Sequence, residues 1–158
     1  MIDPCVGQGT ALQLVTSDAP VRHYGVELDA ERARFASSKG IETIQGNTFD
    51  TILKPESFSL LYLNPPYDSE IGTIANRRME AVFLEFAYRW LRIEGVLILV
   101  IPFERFRDCA GILSSHFVSL RVFRMTDPDS VQYRQIAVFG VRRERCASGA
   151  IATASMSP

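Results

Sequence analysis

Apolar runs of strand length recur along the chain, with helical-period segments between most of them. Residues 21–28, 41–45, Phe58–Leu63, 96–101, 118–125 and 135–141 read as strands, and Met1-Ile2-Asp3 as the end of another. Helical spacing predicts helices over 10–16, 29–38, 77–92 and 103–115. In the first of these Leu12 and Val15 face inward. The second has Asp29 as N-cap and Gly40 as its close. In the third, Met79, Val82, Phe83, Phe86 and Trp90 fall on one face. Residues 68–76 read as a mobile polar loop, residues 126–134 as the link between the last two strands, and the stretch from Cys146 as a disordered tail. Strand and helix alternate until the final two strands, which follow one another directly. That order predicts an α/β fold: a doubly wound, mostly parallel seven-stranded sheet with helices on both faces and a closing antiparallel hairpin.

At 158 residues the chain reads as one domain over 1–145 followed by the tail 146–158. Hydrophobic residues make up 47% and charged ones 22%, so neither a disordered chain nor a membrane chain is indicated. No apolar run approaches the roughly 18 residues needed to cross a bilayer. Net charge is −1, but residues 1–76 carry 5 Lys and Arg against 10 Asp and Glu, whereas 77–158 carry 12 against 8. Cys5, Cys109 and Cys146 are widely spaced and make no metal-ligand pattern with His23 and His116, which suits a reducing cytoplasm. Only Met1-Ile2 precede Asp3, fewer residues than the 5–6 of an ordinary strand, so the fold is expected to be clipped at its N-terminus.

The chemistry concentrates at predicted strand ends, where open α/β sheets bind ligands. Asn64-Pro65-Pro66-Tyr67 stops a buried strand. Its prolines fix φ and remove two donors, leaving carbonyls, a side-chain amide and an aromatic face. That set suits a planar group bearing an NH2. Asp3-Pro4-Cys5-Val6-Gly7-Gln8-Gly9 runs from a strand into a glycine turn whose backbone can approach a ligand. It lacks the third glycine of a dinucleotide fingerprint and the Gly-Lys-Ser/Thr of a phosphate loop. Glu27 lies about 20 residues further on, where a carboxylate accepts ribose hydroxyls. Asn47 or Thr48 can meet an adenine amino edge, and Phe49 can pack on the ring or in the core.

These segments in order, Asp3 to Gly9, Tyr24-Gly25-Val26-Glu27-Leu28-Asp29, Gly46-Asn47-Thr48-Phe49 and Leu63 to Tyr67, resemble a class I S-adenosylmethionine-dependent methyltransferase. The Asn-Pro-Pro-Tyr turn is similar to that of amino-methyltransferases, typically adenine-specific DNA enzymes. The chain up to Arg143 resembles an uncharacterised bacterial family of methyltransferase-like domains. The resemblance implies a Rossmann-like fold, S-adenosyl-L-methionine as cofactor and methyl transfer to an exocyclic amino group, most typically adenine in DNA. It implies that Asp3, Gly7 and Gly9, with Pro4 and Cys5 of the same loop, border the methionine part of the cofactor. Glu27 would hold the ribose. Asn47, where the family more often has Asp, would lie by the adenine with Thr48 and Phe49. Asn64 and the Pro65 carbonyl would accept hydrogen bonds from the substrate NH2, beside Pro66, and Tyr67 would stack on the base.

Such DNA enzymes carry an upstream segment that completes the cofactor pocket and a target-recognition region. Neither is recognised in residues 1–158, so a separate recognition subunit or domain is expected. Arg77, Arg78, Arg105, Arg107, Tyr133 and Arg134 are the candidates for nucleic-acid contact, those of the 126–134 link foremost. Two other readings of the motifs stand beside this one: methylation of a protein glutamine or an RNA guanine, and a truncated, non-catalytic binding domain.

Overall fold

Every apolar run read as a strand becomes one, and together they make a single sheet. The structure, a computed structural model, describes residues 1–17, 19–66, 79–126 and 134–144. The strands are β1 (Ile2–Asp3), β2 (Tyr24–Glu27), β3 (Glu42–Gln45), β4 (Phe58–Leu63), β5 (Leu91–Pro102), β6 (Phe117–Arg124) and β7 (Gln135–Arg142). Their order across the sheet is β3-β2-β1-β4-β5-β7-β6. The pairings from β3 to β5 are parallel, and β7 runs antiparallel to both of its neighbours. This is the Rossmann-like sheet with a closing hairpin that the alternation predicts. β1 is short, with Ile2 opposite both Tyr24 and Leu61.

Helices cover both faces. On one face α1 (Thr10–Val15) and α2 (Ala30–Ser38) bury Leu12 and Ala36 with Val6, Ile41, Tyr62 and Val100. On the other, α3 (Met79–Ala87) and α4 (Phe106–His116) cover a larger core containing Leu61, Leu63, Leu97, Leu99 and Ile101. Asp29 caps α2 as expected, its side chain accepting from the Glu31 and Arg32 amides, and Gly40 follows at φ 82°. Val15 is a correction. It is 45% exposed, because a helix of 6 residues presents only Leu12 inward.

The segment after α3 departs further from the pattern. The expected helix over 77–92 ends at Ala87, passes through a 3-10 turn at Tyr88–Trp90 and becomes strand at Leu91 rather than Val96. Leu91 pairs with Phe58 and Val96 with Leu60, so the strand is bulged between them, with Glu94 at φ 61°. The buried face of α3 is Glu80, Phe83, Leu84 and Ala87, and Val82 is not part of it. Met79, Phe86 and Trp90 of the expected face do pack with Phe83 in the larger core, and the buried carboxylate of Glu80 lies on the same helix. Arg77 and Arg78 precede the described part of this helix, and the 68–76 loop, most of the 126–134 link and the tail from Cys146 also lie outside the described residues. Among the described residues, no helix is long and apolar enough to cross a membrane.

Candidate cofactor and amino-group site

Strand order reverses between β1 and β4: β1 leads outward to β2 and β3, β4 leads the other way to β5. Ligands of open parallel sheets bind at the carboxyl ends flanking such a reversal. Both sequence motifs sit there. Ile2 is opposite Leu61, so Cys5 and Asn64, each three residues further along, leave the sheet at the same level.

The glycine loop is tied to β2. Val6 N–H donates to Val26 O at 3.0 Å, and Gly9 N–H to Val6 O at 2.8 Å. Gly7 and Gly9 have φ of 55° and 78°, the left-handed region that disfavours side chains. A Cβ at Gly9 would run into the Ile41 side chain and lie 3.5 Å from the Ala36 Cβ. This glycine therefore lets the loop pack onto α2 and the residue that leads into β3.

Glu27, at the end of β2, is 6% exposed and organises the loop. Its Oε2 accepts the Gly7 N–H at 2.8 Å, and its Oε1 accepts the Asp29 N–H at 2.9 Å. The Arg32 guanidinium also donates to Oε1, from Nη2 at 2.8 Å and Nε at 3.1 Å. The buried carboxylate is thus compensated by a half-exposed arginine and two amides. Arg32 carries no motif signal in the sequence; only the turn from β2 into α2 brings it back over Glu27. Asp3 is buried nearby, with Oδ1 accepting the Cys5 N–H at 2.8 Å. Burial and the Glu27 charge push its carboxyl up to about 7, against the opposing effect of the Cys5 amide. Burial, with Asp3 and Glu27 close by, also holds the Cys5 thiol well above its ordinary range.

After β3, Asn47 caps the 3-10 turn Thr48–Asp50, its side-chain oxygen accepting the Phe49 N–H at 3.1 Å. Its side chain is exposed. Thr48 is buried and its hydroxyl donates to the carbonyl of Pro4, itself buried, which ties this turn to the glycine loop. Phe49 packs edge-on and tilted against Phe86 and Phe83, with ring centroids at 5.4 Å and 4.6 Å. Of these three, Asn47 alone turns an exposed side chain to the carboxyl end of the sheet.

At the end of β4, Asn64 is exposed, Pro65 buried and Pro66 half-buried. Tyr67, Arg77, Arg78 and Tyr133 lie outside the described residues. Arg134 is described. It sits at φ 48° just before β7, pairs with Glu104 at 2.8 Å, and its carbonyl accepts the Phe103 N–H at 2.9 Å. That places it at the far side of the same sheet end, across β5 from Asn64. The buried carboxylate beside a close-approach glycine loop fits a nucleoside-containing cofactor. No group of three or more metal-ligating side chains occurs among the described residues.

A family model described as "Uncharacterised methyltransferase family (DUF6094)" matches residues 1–155. Among solved structures, a tRNA (m1A58) methyltransferase from Aquifex aeolicus is similar at TM-score 0.67 and 13% identity. That match covers 90% of this chain and 62% of the Aquifex chain, so the protein spans under two thirds of that relative's length. A predicted O-methyltransferase from Agrobacterium tumefaciens aligns at TM-score 0.70 and 18% identity, over 91% of this chain and 74% of the other. Geranyl diphosphate C-methyltransferase from Streptomyces coelicolor, solved with S-adenosyl-L-homocysteine, aligns at 0.63 and 12%, over 90% and 70%. At these identities the likeness is one of fold. A search of curated proteins finds no significant match.

Proposed function

The chain belongs to this uncharacterised methyltransferase family, and on that premise we propose that it methylates an exocyclic amino group, adenine in DNA, using S-adenosyl-L-methionine. The observation that carries the reading is the meeting of two motifs at one strand-order reversal: the Glu27-anchored glycine loop after β1 and the Asn64-Pro65-Pro66 turn after β4. When bound, the cofactor supplies an electrophilic sulfonium methyl group. Gly7, Gly9 and Asp3, with Pro4 and Cys5, would hold its methionine part. Glu27 would hold its ribose, for which Arg32 must yield part of Oε1. Asn47 would lie by its adenine, with Thr48 and Phe49 supporting that turn from beneath.

On the substrate side, the Asn64 amide oxygen and the Pro65 carbonyl accept the two N–H bonds of the amino group. Two acceptors set at tetrahedral directions turn the nitrogen lone pair out of conjugation with the ring and toward the methyl group. The buried Pro65 and half-buried Pro66 keep that backbone in one shape and leave no competing amide donor. Tyr67 would cover the face of the base, and Arg134, Arg77, Arg78 and Tyr133 would meet the strand around it. In this reading residues 1–145 are the catalytic domain, residues 146–158 a tail, and target choice in the cytoplasm falls to a separate recognition subunit or domain.

The test is transfer of labelled methyl from S-adenosylmethionine to unmethylated DNA. Asn64→Ala is expected to lower kcat about 100-fold or more, the scale of losing one stabilising hydrogen-bond partner, while calorimetric cofactor affinity stays the same. Label appearing in protein or RNA but not in DNA would overturn the substrate assignment. Loss of cofactor affinity in Asn64→Ala would overturn the assigned role of the turn.

A further inference from the structure

Beyond the turn after β4, the same end of the sheet carries a concavity of about 370 Å³, large enough for one small planar group. Phe103, Val122 and Ile136 form apolar walls, while Arg124, Arg134 and Gln135 supply polar edges. Phe103, immediately after β5, is 60% exposed and Val122 is 47% exposed, so both offer apolar surface to the hollow. The backbone fixes this arrangement, because the Phe103 N–H donates to the Arg134 carbonyl. The Arg134 guanidinium is steadied by Glu104 at 2.8 Å. β7 lies two strands from β4 in the sheet order, about 10 Å at ~4.8 Å per strand.

We propose that this hollow holds the base of a nucleotide neighbouring the target in single-stranded DNA, stacked on Phe103, with its phosphate on Arg124 and Arg134. An aromatic face beside guanidinium groups is the combination that grips single strands with little sequence preference. An uncharged peptide segment carrying a target glutamine would not call for Arg124 at the edge of an apolar slot, where Arg134 is already paired with Glu104. The assignment rests on the amino-methyltransferase reading above and extends it to the substrate strand.

The experiment measures fluorescence anisotropy of a labelled single-stranded DNA oligonucleotide titrated with the full chain, at several salt concentrations and without cofactor. Phe103→Ala is expected to weaken binding about 5- to 100-fold, the range for losing one base–aromatic stack, and Phe103→Trp to retain it. Arg124→Ala is expected to reduce the slope of log affinity against log salt by about 1. Phe103 is exposed, so an unchanged melting temperature will separate lost binding from lost fold. Wild-type affinity in both Phe103→Ala and Arg124→Ala overturns the proposal, as does the absence of any oligonucleotide binding by the wild type. Binding that depends on Phe103 without methyl transfer would leave the hollow assigned and sink the amino-methyl chemistry. Methyl transfer to a free nucleoside without oligonucleotide affinity would do the reverse.

Discussion

At the scale of single residues, the site contains two buried carboxylates in different circumstances. Glu27 has a guanidinium and two amides, whereas Asp3 has one amide and a like charge nearby. Burial therefore raises the Asp3 carboxyl to about 7, against an ordinary value near 3.9 in an unfolded chain. The folded protein then binds this proton more tightly than the unfolded one. Asp3 contributes stability that is fully present below about pH 4 and is lost as pH rises through about 7. Chemical denaturation of wild type and Asp3→Asn across pH 4–8 measures the effect. The wild type is expected to lose on the order of a few kcal/mol relative to Asp3→Asn over that window. Parallel pH profiles for the two would show that Asp3 titrates as an ordinary carboxylate. Glu27 was legible from its place at a strand end about 20 residues past the glycine loop, whereas Asp3 entered through the resemblance of its loop to the methyltransferase motif. Which of them carries the counter-ion depended on Arg32 and was not legible.

Among the elements, helix beginnings were easier to read than helix ends. Asp29 declares the start of α2 through its own side chain, which is local chemistry. The end of α4 is instead completed by an arginine just past the last strand, and the turn that follows α3 by one within that strand. Arg142 reaches the carbonyls of Arg89 and Leu91, where α3 has already given way to a 3-10 turn and the bulged start of β5. Arg143 donates through Nε and Nη2 to Ser115 O at 3.0 Å and 2.9 Å, and through Nη2 to Ser114 O at 2.9 Å. These are the last carbonyls of α4, which have no partner within the helix, and the cation also faces the negative end of the helix dipole. The contact spans 28 residues of sequence, so no window around α4 could show it. Arg143→Ala is expected to destabilise the protein by about 1–2 kcal/mol, with Arg143→Lys recovering part through charge alone. Urea midpoints read this directly, and equal midpoints for all three proteins would mean the guanidinium contributes nothing at that helix end. Glu80 was not among the residues that the helical spacing marked, yet it is buried on that helix with Arg105, beyond β5, 3.8 Å away.

For the molecule as a whole, both apolar cores cross the sheet reversal, one on each face, and both include residues of β4 and β5. The larger one, under α3 and α4, reaches β1 through Ile2. The β1-β2-β3 side has strands of only 2, 4 and 4 residues. It is joined at its carboxyl end by polar contacts: Glu27 to the Gly7 and Asp29 amides and to Arg32, and Thr48 to Pro4. The groups proposed to hold the cofactor are thus also the groups that tie the loops at this sheet end together. A ligand seated there should stabilise the whole domain by mass action, about 2.7 kcal/mol at a concentration 100-fold above its Kd. For a chain of this size that corresponds to a rise in Tm of about 5–10 °C. Scanning fluorimetry with S-adenosylhomocysteine is expected to show such a rise for the wild type. In Glu27→Ala the starting Tm falls, because two backbone donors and Arg32 lose their acceptor, and the ligand-induced rise disappears. A variant with a lowered Tm and an intact ligand response would make Glu27 a brace of the glycine loop and no part of the cofactor site. A variant with both unchanged would remove the basis for reading the buried carboxylate as the centre of that sheet end.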